Sequence, residues 1–183
     1  MNKYIVFVIA TAMATVFAGC NGNTQKNANE NVDSVTVSVP DTALYGVIGE
    51  GTTMNVLEVI TDGGKTLTFE IDGQDEEAIQ GGVFAGDKVT LTFTEDKDVR
   101  MVDKMVNLTS LLGKWTSLDR NFQIQENGVI ESNGSAETHP YTLWAMSNAQ
   151  LILNTDTFDV LTLGPDSMTI ENAHGIFVYK RQK

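Results

Sequence analysis

From residue 43 to the end of the chain, short runs of alternating apolar and polar residues are separated by glycine, asparagine or aspartate. Alternation with a period of two predicts half-buried β-strands, and the interrupting residues are those that favour turns. A chain interrupted so often leaves little room for long helices. The pattern therefore predicts an all-β protein whose antiparallel strands are joined by tight turns.

Residues 43–109 contain five candidate strands, with an irregular segment between the third and the fourth. Gly63-Gly64 predicts a hairpin turn between the second and third strands. The segment Asp75–Ile79 is acidic at its front and long enough for one helical turn. A sandwich or a barrel of five strands would both show this pattern. The candidate strands are 43–49, 54–60, 66–71, 88–94 and 101–107.

The order of three strands, a short helix and two strands resembles that of an OB-fold barrel. The turn Gly86-Asp87-Lys88-Val89, which leads into the fourth strand, is similar to the glycine-aspartate turn at that place in many OB and related small barrels. The resemblance implies a closed, OB-like five-stranded domain over residues 43–109.

Residues 110–183 contain eight shorter candidate strands. Their connections carry turn residues, for example Asn127-Gly128 and Gly164-Pro165-Asp166. Tight turns between consecutive strands predict an up-and-down meander, and eight strands are enough to close a barrel. The candidate strands are 112–118, 121–126, 129–133, 141–147, 150–154, 158–163, 167–172 and 175–181.

This second half resembles the lipocalin-like domains of bacterial lipoproteins. Gly113-Lys114-Trp115 is similar to the Gly-x-Trp of the first lipocalin strand, and Arg181 resembles the basic residue that lies over that tryptophan. The resemblance implies that Gly113 makes room for the indole and that the guanidinium of Arg181 covers the indole face, which closes one end of an eight-stranded barrel.

Alternation along the strands also predicts which side chains face the interior of this barrel. Trp144 and Met146 have the opposite parity and are predicted to form an outward apolar spot. A barrel of this size is either filled by its own side chains or holds one small ligand. If it holds an apolar ligand, we expect the ligand to contact Phe122, Tyr141, Leu143 and Phe158. The full predicted interior set is Phe122, Ile124, Tyr141, Leu143, Ala145, Leu151, Leu153, Phe158, Val160, Met168 and Ile170.

The first nineteen residues have the three parts of a secretory signal: a cationic start at Lys3, an apolar stretch from Tyr4 to Phe17, and small residues at the end. The stretch is too short to span a bilayer, which needs about 20 apolar residues. Phe17-Ala18-Gly19-Cys20 resembles a lipobox, the site at which lipoprotein signal peptidase cuts before a lipidated cysteine. We therefore expect diacylglycerol and palmitate on Cys20, anchoring the chain in the bacterial cell envelope, in the outer membrane. The alternative is a secreted protein with an unmodified cysteine.

Residues 20–42 are rich in asparagine, threonine and serine and contain no aromatic residue. Such a stretch buries too little apolar area to offset the entropy of ordering it, so it predicts a flexible tether. Asp33-Ser34-Val35 and Asp41-Thr42-Ala43 resemble the Asp-(Ser/Thr)-apolar site of O-glycosylation in Bacteroidetes. This resemblance implies possible sugar attachment at Ser34 and Thr42.

The chain is acidic, with a formal net charge of −12, and this charge disfavours binding to nucleic acid. Its single cysteine excludes a disulfide within the chain. His139 and His174 lie in predicted turns, and a metal site would require them to meet a carboxylate such as Glu137 or Glu171. The sequence contains no phosphate-binding loop and no nucleophile elbow. We predict a protein that is not an enzyme and has no cofactor or metal.

Three hypotheses for function follow. The first is a tethered protein that binds a small apolar ligand in the lipocalin-like barrel. The second is a structural or interaction lipoprotein that docks on envelope protein partners and binds no small molecule. The third comes from a resemblance to envelope-stress or copper-related lipoproteins, which pair the same two domain types in reverse order. Their Cys-x-x-Cys is missing here, so this hypothesis is the weakest of the three.

Overall fold

The structure, a computed structural model, describes residues 39–182 except 74, 76 and 133–138. The described part is nearly all β, as predicted, with one single-turn helix. The signal segment, Cys20 and Ser34 lie outside the described residues. The elements are β1 (Leu44–Ile48), β2 (Val56–Thr61), β3 (Thr66–Glu70), β4 (Ile79–Gln80), β5 (Lys88–Asp96), β6 (Val99–Asn107), α1 (Leu108–Leu111), β7 (Gly113–Thr116), β8 (Asn121–Ile124), β9 (Ile130–Ser132), β10 (Trp144–Ser147), β11 (Gln150–Leu153), β12 (Asp156–Leu163), β13 (Ser167–Asn172) and β14 (Gly175–Arg181).

Five of these strands close the first barrel. Antiparallel pairs join β1 to β2 and β5, β2 to β3, and β5 to β6. A single parallel pair, Glu70 with Met101, joins β3 to β6 and completes the circle. The resulting order β1-β2-β3-β6-β5 is the order expected for an OB-like barrel. Its core consists of Ile48, Leu57, Val59, Phe69, Val89, Leu91, Val102 and Met105.

The predicted helical turn over residues 75–79 is wrong. The carboxylate of Asp75 accepts hydrogen bonds from the backbone N–H groups of Glu77 and Ala78, at 3.0 and 3.2 Å, and so forms a turn. Ile79 and Gln80 then extend as β4, which pairs in parallel with β6. Short polar side chains that bond to nearby backbone N–H groups compete with helix formation, and Asp75 does so here.

The second barrel is the predicted eight-stranded meander from β7 to β14, and it is nearly closed. The last strand, β14, returns to pair with β7 at Lys180–Thr116 and Arg181–Trp115. Between β9 and β10 the gap is bridged by an isolated pair, Val129 with Leu143, and by two flanking backbone hydrogen bonds of 2.8 and 2.9 Å. The predicted bounds of the last two strands, 167–172 and 175–181, agree with the structure.

On β10 the predicted inward and outward faces are reversed. Leu143 is 58% exposed and Ala145 is exposed too, so the prediction that they face the interior is wrong. Trp144 and Met146, predicted to point outward, pack against the barrel core. The indole N–H of Trp144 donates to the carbonyl oxygen of Gln125 at 2.6 Å.

The reversal follows from the hydrogen bonds of Asn154. Its side-chain oxygen accepts from the backbone N–H groups of both Thr142 and Leu143, at 2.9 and 3.2 Å. In a regular strand consecutive N–H groups point to opposite sides, so a shared acceptor breaks the alternation at this point. Tyr141 therefore remains buried, while the parity changes before Trp144.

The two barrels share buried residues and belong to one compact unit, residues 39–183. Val106, at the end of β6, and Leu111, in α1, both lie in the core of the second barrel and are fully buried. The side chain of Gln80 accepts from the backbone N–H of Leu163 at 2.9 Å, and Gly81 N–H donates to the carbonyl of the same residue at 3.0 Å. Gln80 of β4 and the adjacent Gly81 thus satisfy both backbone hydrogen-bonding groups of Leu163, the last residue of β12.

We expect Leu111→Ala to destabilise the whole unit by about 2–5 kcal/mol, because it removes a fully buried side chain beneath the second barrel. Leu118→Ala is the matched control, since Leu118 is fully exposed and its truncation removes no core contact. Denaturant unfolding followed by circular dichroism measures both. Equal stability of the two variants would contradict the burial of Leu111.

Candidate functional site

Trp115 lies at the closed end of the second barrel and is fully buried. Its indole N–H donates to the carbonyl oxygen of Leu111 at 2.9 Å, so the one polar atom of the ring is satisfied by the end of α1. The guanidinium carbon of Arg181 lies 4.1 Å from the ring centroid, within the range of a cation–π contact. The structure thus places Arg181 over Trp115, as the lipocalin resemblance implies.

The guanidinium of Arg181 also donates to three backbone carbonyls. Nε bonds to Pro165 at 2.8 Å, Nη1 to Leu112 at 2.6 Å and Nη2 to Ser110. Burial lowers the pKa of Arg181, but an arginine keeps its charge at any physiological pH. One side chain therefore ties the end of β14 to the turn after β12 and to the chain that leaves α1.

Gly113 makes room for this guanidinium. Its φ angle is +122°, and a Cβ added at this position would lie 2.6 Å from Nη1 of Arg181. A side chain here would meet both a backbone conformation that L-residues rarely adopt and a steric clash. The prediction that Gly113 makes room for the indole is wrong, because Arg181 occupies the space beside it.

Four aromatic rings pack together in the core of the second barrel: Phe122 of β8, Phe158 of β12 and Tyr179 of β14, with Tyr141 from the connection before β10. Phe122 packs edge-to-face on Tyr141 and on Tyr179, with centroid distances of 5.5 and 5.1 Å. Tyr141 packs in the same way on Phe158, at 6.5 Å. All four rings are at least 95% buried. The interior of an eight-stranded barrel is just wide enough for its own side chains to fill, and these four rings occupy part of it.

Of the four predicted ligand contacts, the structure brings Phe122, Tyr141 and Phe158 together and leaves Leu143 outside. The ring of Tyr141 packs on both Phe122 and Phe158, so these residues form an aromatic layer of the core. Sequence reasoning missed its fourth member, Tyr179, although the alternation along 175–181 places it on the inward face. It also missed Arg120, whose guanidinium lies 4.1 Å over the Tyr141 ring and donates to the carbonyl of His139 at 3.0 Å.

The two histidines are exposed and lie in connections, as predicted. Within the described ranges, no group of three or more His, Cys, Asp and Glu side chains is placed to hold a metal ion. Glu137 lies outside those ranges, and Glu171 is an exposed residue of β13.

Pro40, Asp41 and Thr42, which the sequence assigns to the tether, are held against the second barrel. The backbone N–H and hydroxyl of Thr42 donate to the side-chain oxygen of Asn148 at 2.9 and 3.0 Å, and Asn148 donates to the carbonyl of Pro40 at 3.1 Å. The predicted glycosylation position Thr42 is exposed, with its hydroxyl engaged in this contact.

Tyr45 connects this contact to the first barrel. Its hydroxyl donates to the carboxylate of Asp41 at 2.7 Å and approaches the carbonyl oxygen of Met146 at 3.1 Å. Burial and the neighbouring carboxylate raise the pKa of Tyr45 to about 12, so the hydroxyl stays protonated. Burial acts to raise the pKa of Asp41, but hydrogen bonds from Asn148, Tyr45 and Ala43 outweigh it and lower the pKa. The chain therefore enters the folded unit at a fixed point beside both barrels.

The chain matches no family model, no curated protein and no solved structure. In the part of the chain that the structure describes, no helix has the length and apolarity required to cross a membrane.

We expect Arg181→Ala to destabilise the second barrel by more than the cation–π contact alone, which is worth about 0.5–2 kcal/mol. The reason is that three carbonyls lose their donor. Trp115→Ala should cost about 3–5 kcal/mol, the usual loss for a buried aromatic side chain.

Gly113→Ala should destabilise the wild type more than it destabilises the Arg181→Ala variant, because the clash disappears with the guanidinium. Thermal melts of the single and double variants measure this coupling, and strict additivity would contradict it.

Proposed function

We propose that this protein is a lipid-anchored lipoprotein of the bacterial cell envelope that works without catalysis, as an interaction protein. The lipid on Cys20 holds the chain to the outer membrane, and a two-barrel unit presents its outer surface to an envelope protein partner. This was the second of the sequence-based hypotheses, and it now takes precedence over ligand binding inside the second barrel.

The observation that supports this choice is the aromatic layer of Phe122, Tyr141, Phe158 and Tyr179. Neighbouring rings in this layer lie 5.1–6.5 Å apart. Three of the four residues predicted to contact an apolar ligand, Phe122, Tyr141 and Phe158, therefore pack on aromatic rings of the protein itself. A ligand at this level of the barrel would have to separate buried edge-to-face pairs, each worth about 0.5–1.5 kcal/mol beyond their buried area. Ligand binding in this barrel stays a prediction, and the ligand would have to offset the free energy lost when these ring pairs separate.

The buried contacts between the two barrels support an interaction role as well. Val106 and Leu111 are buried in the core of the second barrel. Val106 belongs to β6 of the first barrel, and Leu111 belongs to α1, which directly follows β6. The ion pair between Lys104 and Asp159, at 3.2 Å, adds a contact across the same junction. A unit whose barrels keep a fixed arrangement presents one continuous surface to a partner, and binding to a preorganised surface avoids the entropy cost of ordering it.

The anchoring half of the proposal is tested by Cys20→Ser. We expect the wild type in the membrane fraction and the variant either in the soluble fraction or as an uncleaved precursor, because serine offers no thiol for lipid attachment. Fractionation with mass measurement of the mature N-terminus reads out both. Asn21→Ser, which changes the neighbouring residue and keeps the thiol, is the control. A Cys20→Ser protein that is cleaved and sediments with membranes as the wild type does would refute the lipid anchor.

A further inference from the structure

A single residue pair closes the first barrel between β3 and β6, and a groove opens beside it. Between β3 and β6 the pairing consists of Glu70 with Met101, while the pairing of β4 with β6 lies further along, at Met105 and Val106. Beside the single pair, the strands enclose an open cavity of about 660 Å³ whose lining includes Val56, Glu70, Ile71 and Met101. It adjoins a smaller cavity that shares Val56 and Glu70 and includes Asp98 and Val99. We name the two together the seam groove.

Apolar side chains are exposed along the seam groove. Val99 and Met101 are 44% and 37% exposed, although both are large hydrophobic residues on a strand. Met54 precedes the lining residue Asn55 and is 91% exposed. The flexible thioether of methionine adapts to differently shaped apolar groups, so this surface suits a partner with aliphatic side chains.

The charge along the groove is negative. Glu70, Asp72 and Asp98 contribute carboxylates to its lining. Arg100 is the basic residue among the lining groups of the two cavities, and its guanidinium is paired with Glu95 at 2.7 Å. The net charge of −12 on the whole chain adds to the same field. Cations are therefore attracted to the groove, whereas nucleic acid and anionic lipid are repelled.

We propose that the seam groove binds a basic, extended polypeptide segment of the envelope partner. This inference rests on the proposed interaction function and names the chemistry of the partner. Lysine and arginine combine an aliphatic stem with a cationic head. The stems would lie on Val99 and Met101, and the heads would reach the carboxylates of Glu70 and Asp98.

The test uses a labelled octapeptide of alternating lysine and valine and the full chain, purified in one non-ionic detergent. Fluorescence anisotropy measures its dissociation constant. We expect saturable binding that weakens as salt rises. We also expect weaker binding of a matched octapeptide in which 2,4-diaminobutyrate replaces each lysine, because its cationic side chain has a stem shorter by two methylene groups and covers less of Val99 and Met101. Equal affinity for both peptides would overturn the role of the apolar lining.

A pair of double variants separates the groove from the overall charge of the protein. Glu70→Gln/Asp98→Asn removes two groove carboxylates, and asparagine is tolerated at the positive φ of Asp98. Glu171→Gln/Asp156→Asn removes two exposed carboxylates from the second barrel. Both changes reduce the negative charge equally. We expect about tenfold weaker binding for the groove variant and little change for the control. Equal losses would show an unspecific electrostatic attraction and overturn the proposal.

Hydrogen exchange of the wild type with and without the lysine-valine peptide gives a second readout that needs no variant. We expect new protection at residues 66–73 and 98–101, the two walls of the groove. Protection confined to other parts of the chain would overturn the proposal.

These measurements do not depend on the anchor. A failure of the Cys20→Ser experiment with intact peptide binding would refute envelope anchoring alone, and the reverse result would refute the groove alone.

Discussion

The contact between Arg181 and Trp115 is the constraint on which the closed end of the second barrel depends. The guanidinium covers the indole, bonds to the carbonyls of Ser110, Leu112 and Pro165, and occupies the space that Gly113 leaves free. An ammonium group could not replace it, because a lysine side chain lacks the planar fork that reaches several acceptors at once. Arg181 thereby holds together the end of α1, the start of β7 and the turn after β12.

This closed end also joins the two barrels. The indole N–H of Trp115 bonds to Leu111, whose side chain lies in the second core one turn after β6 ends. Asn107 caps that turn by accepting from Ser110 N–H at 2.9 Å and donates to Gly82 and Asp87 in the first barrel. The floor of one barrel and the last strand of the other therefore form a single buried junction. Aromatic rings occupy part of the interior of the second barrel, and the proposed interaction role therefore rests on the outer surfaces, including the seam groove.

Much of this fold could be predicted from the sequence, because turn residues and alternation are local signals. The strands at 167–172 and 175–181 follow from local residues. The contact of Arg181 with Trp115 was implied by the lipocalin resemblance, which however assigned the space beside Gly113 to the indole and not to Arg181. The face reversal at β10 could not be predicted, since it depends on Asn154, a residue from a different turn that binds two consecutive N–H groups. Neither could the seam groove, because its walls come from strands separated by some thirty residues that meet at a single pair. Long-range contacts of this kind leave no local pattern.

The central claim is that the second barrel is filled by its own side chains and that the protein works through its surface. Native mass spectrometry of the full chain, purified from its own membranes, tests this most directly. The account predicts a mass equal to that of the lipidated polypeptide, unchanged when the protein is denatured. A small apolar molecule that accompanies the folded chain in a one-to-one ratio, and that is released on unfolding of the wild type, would contradict it.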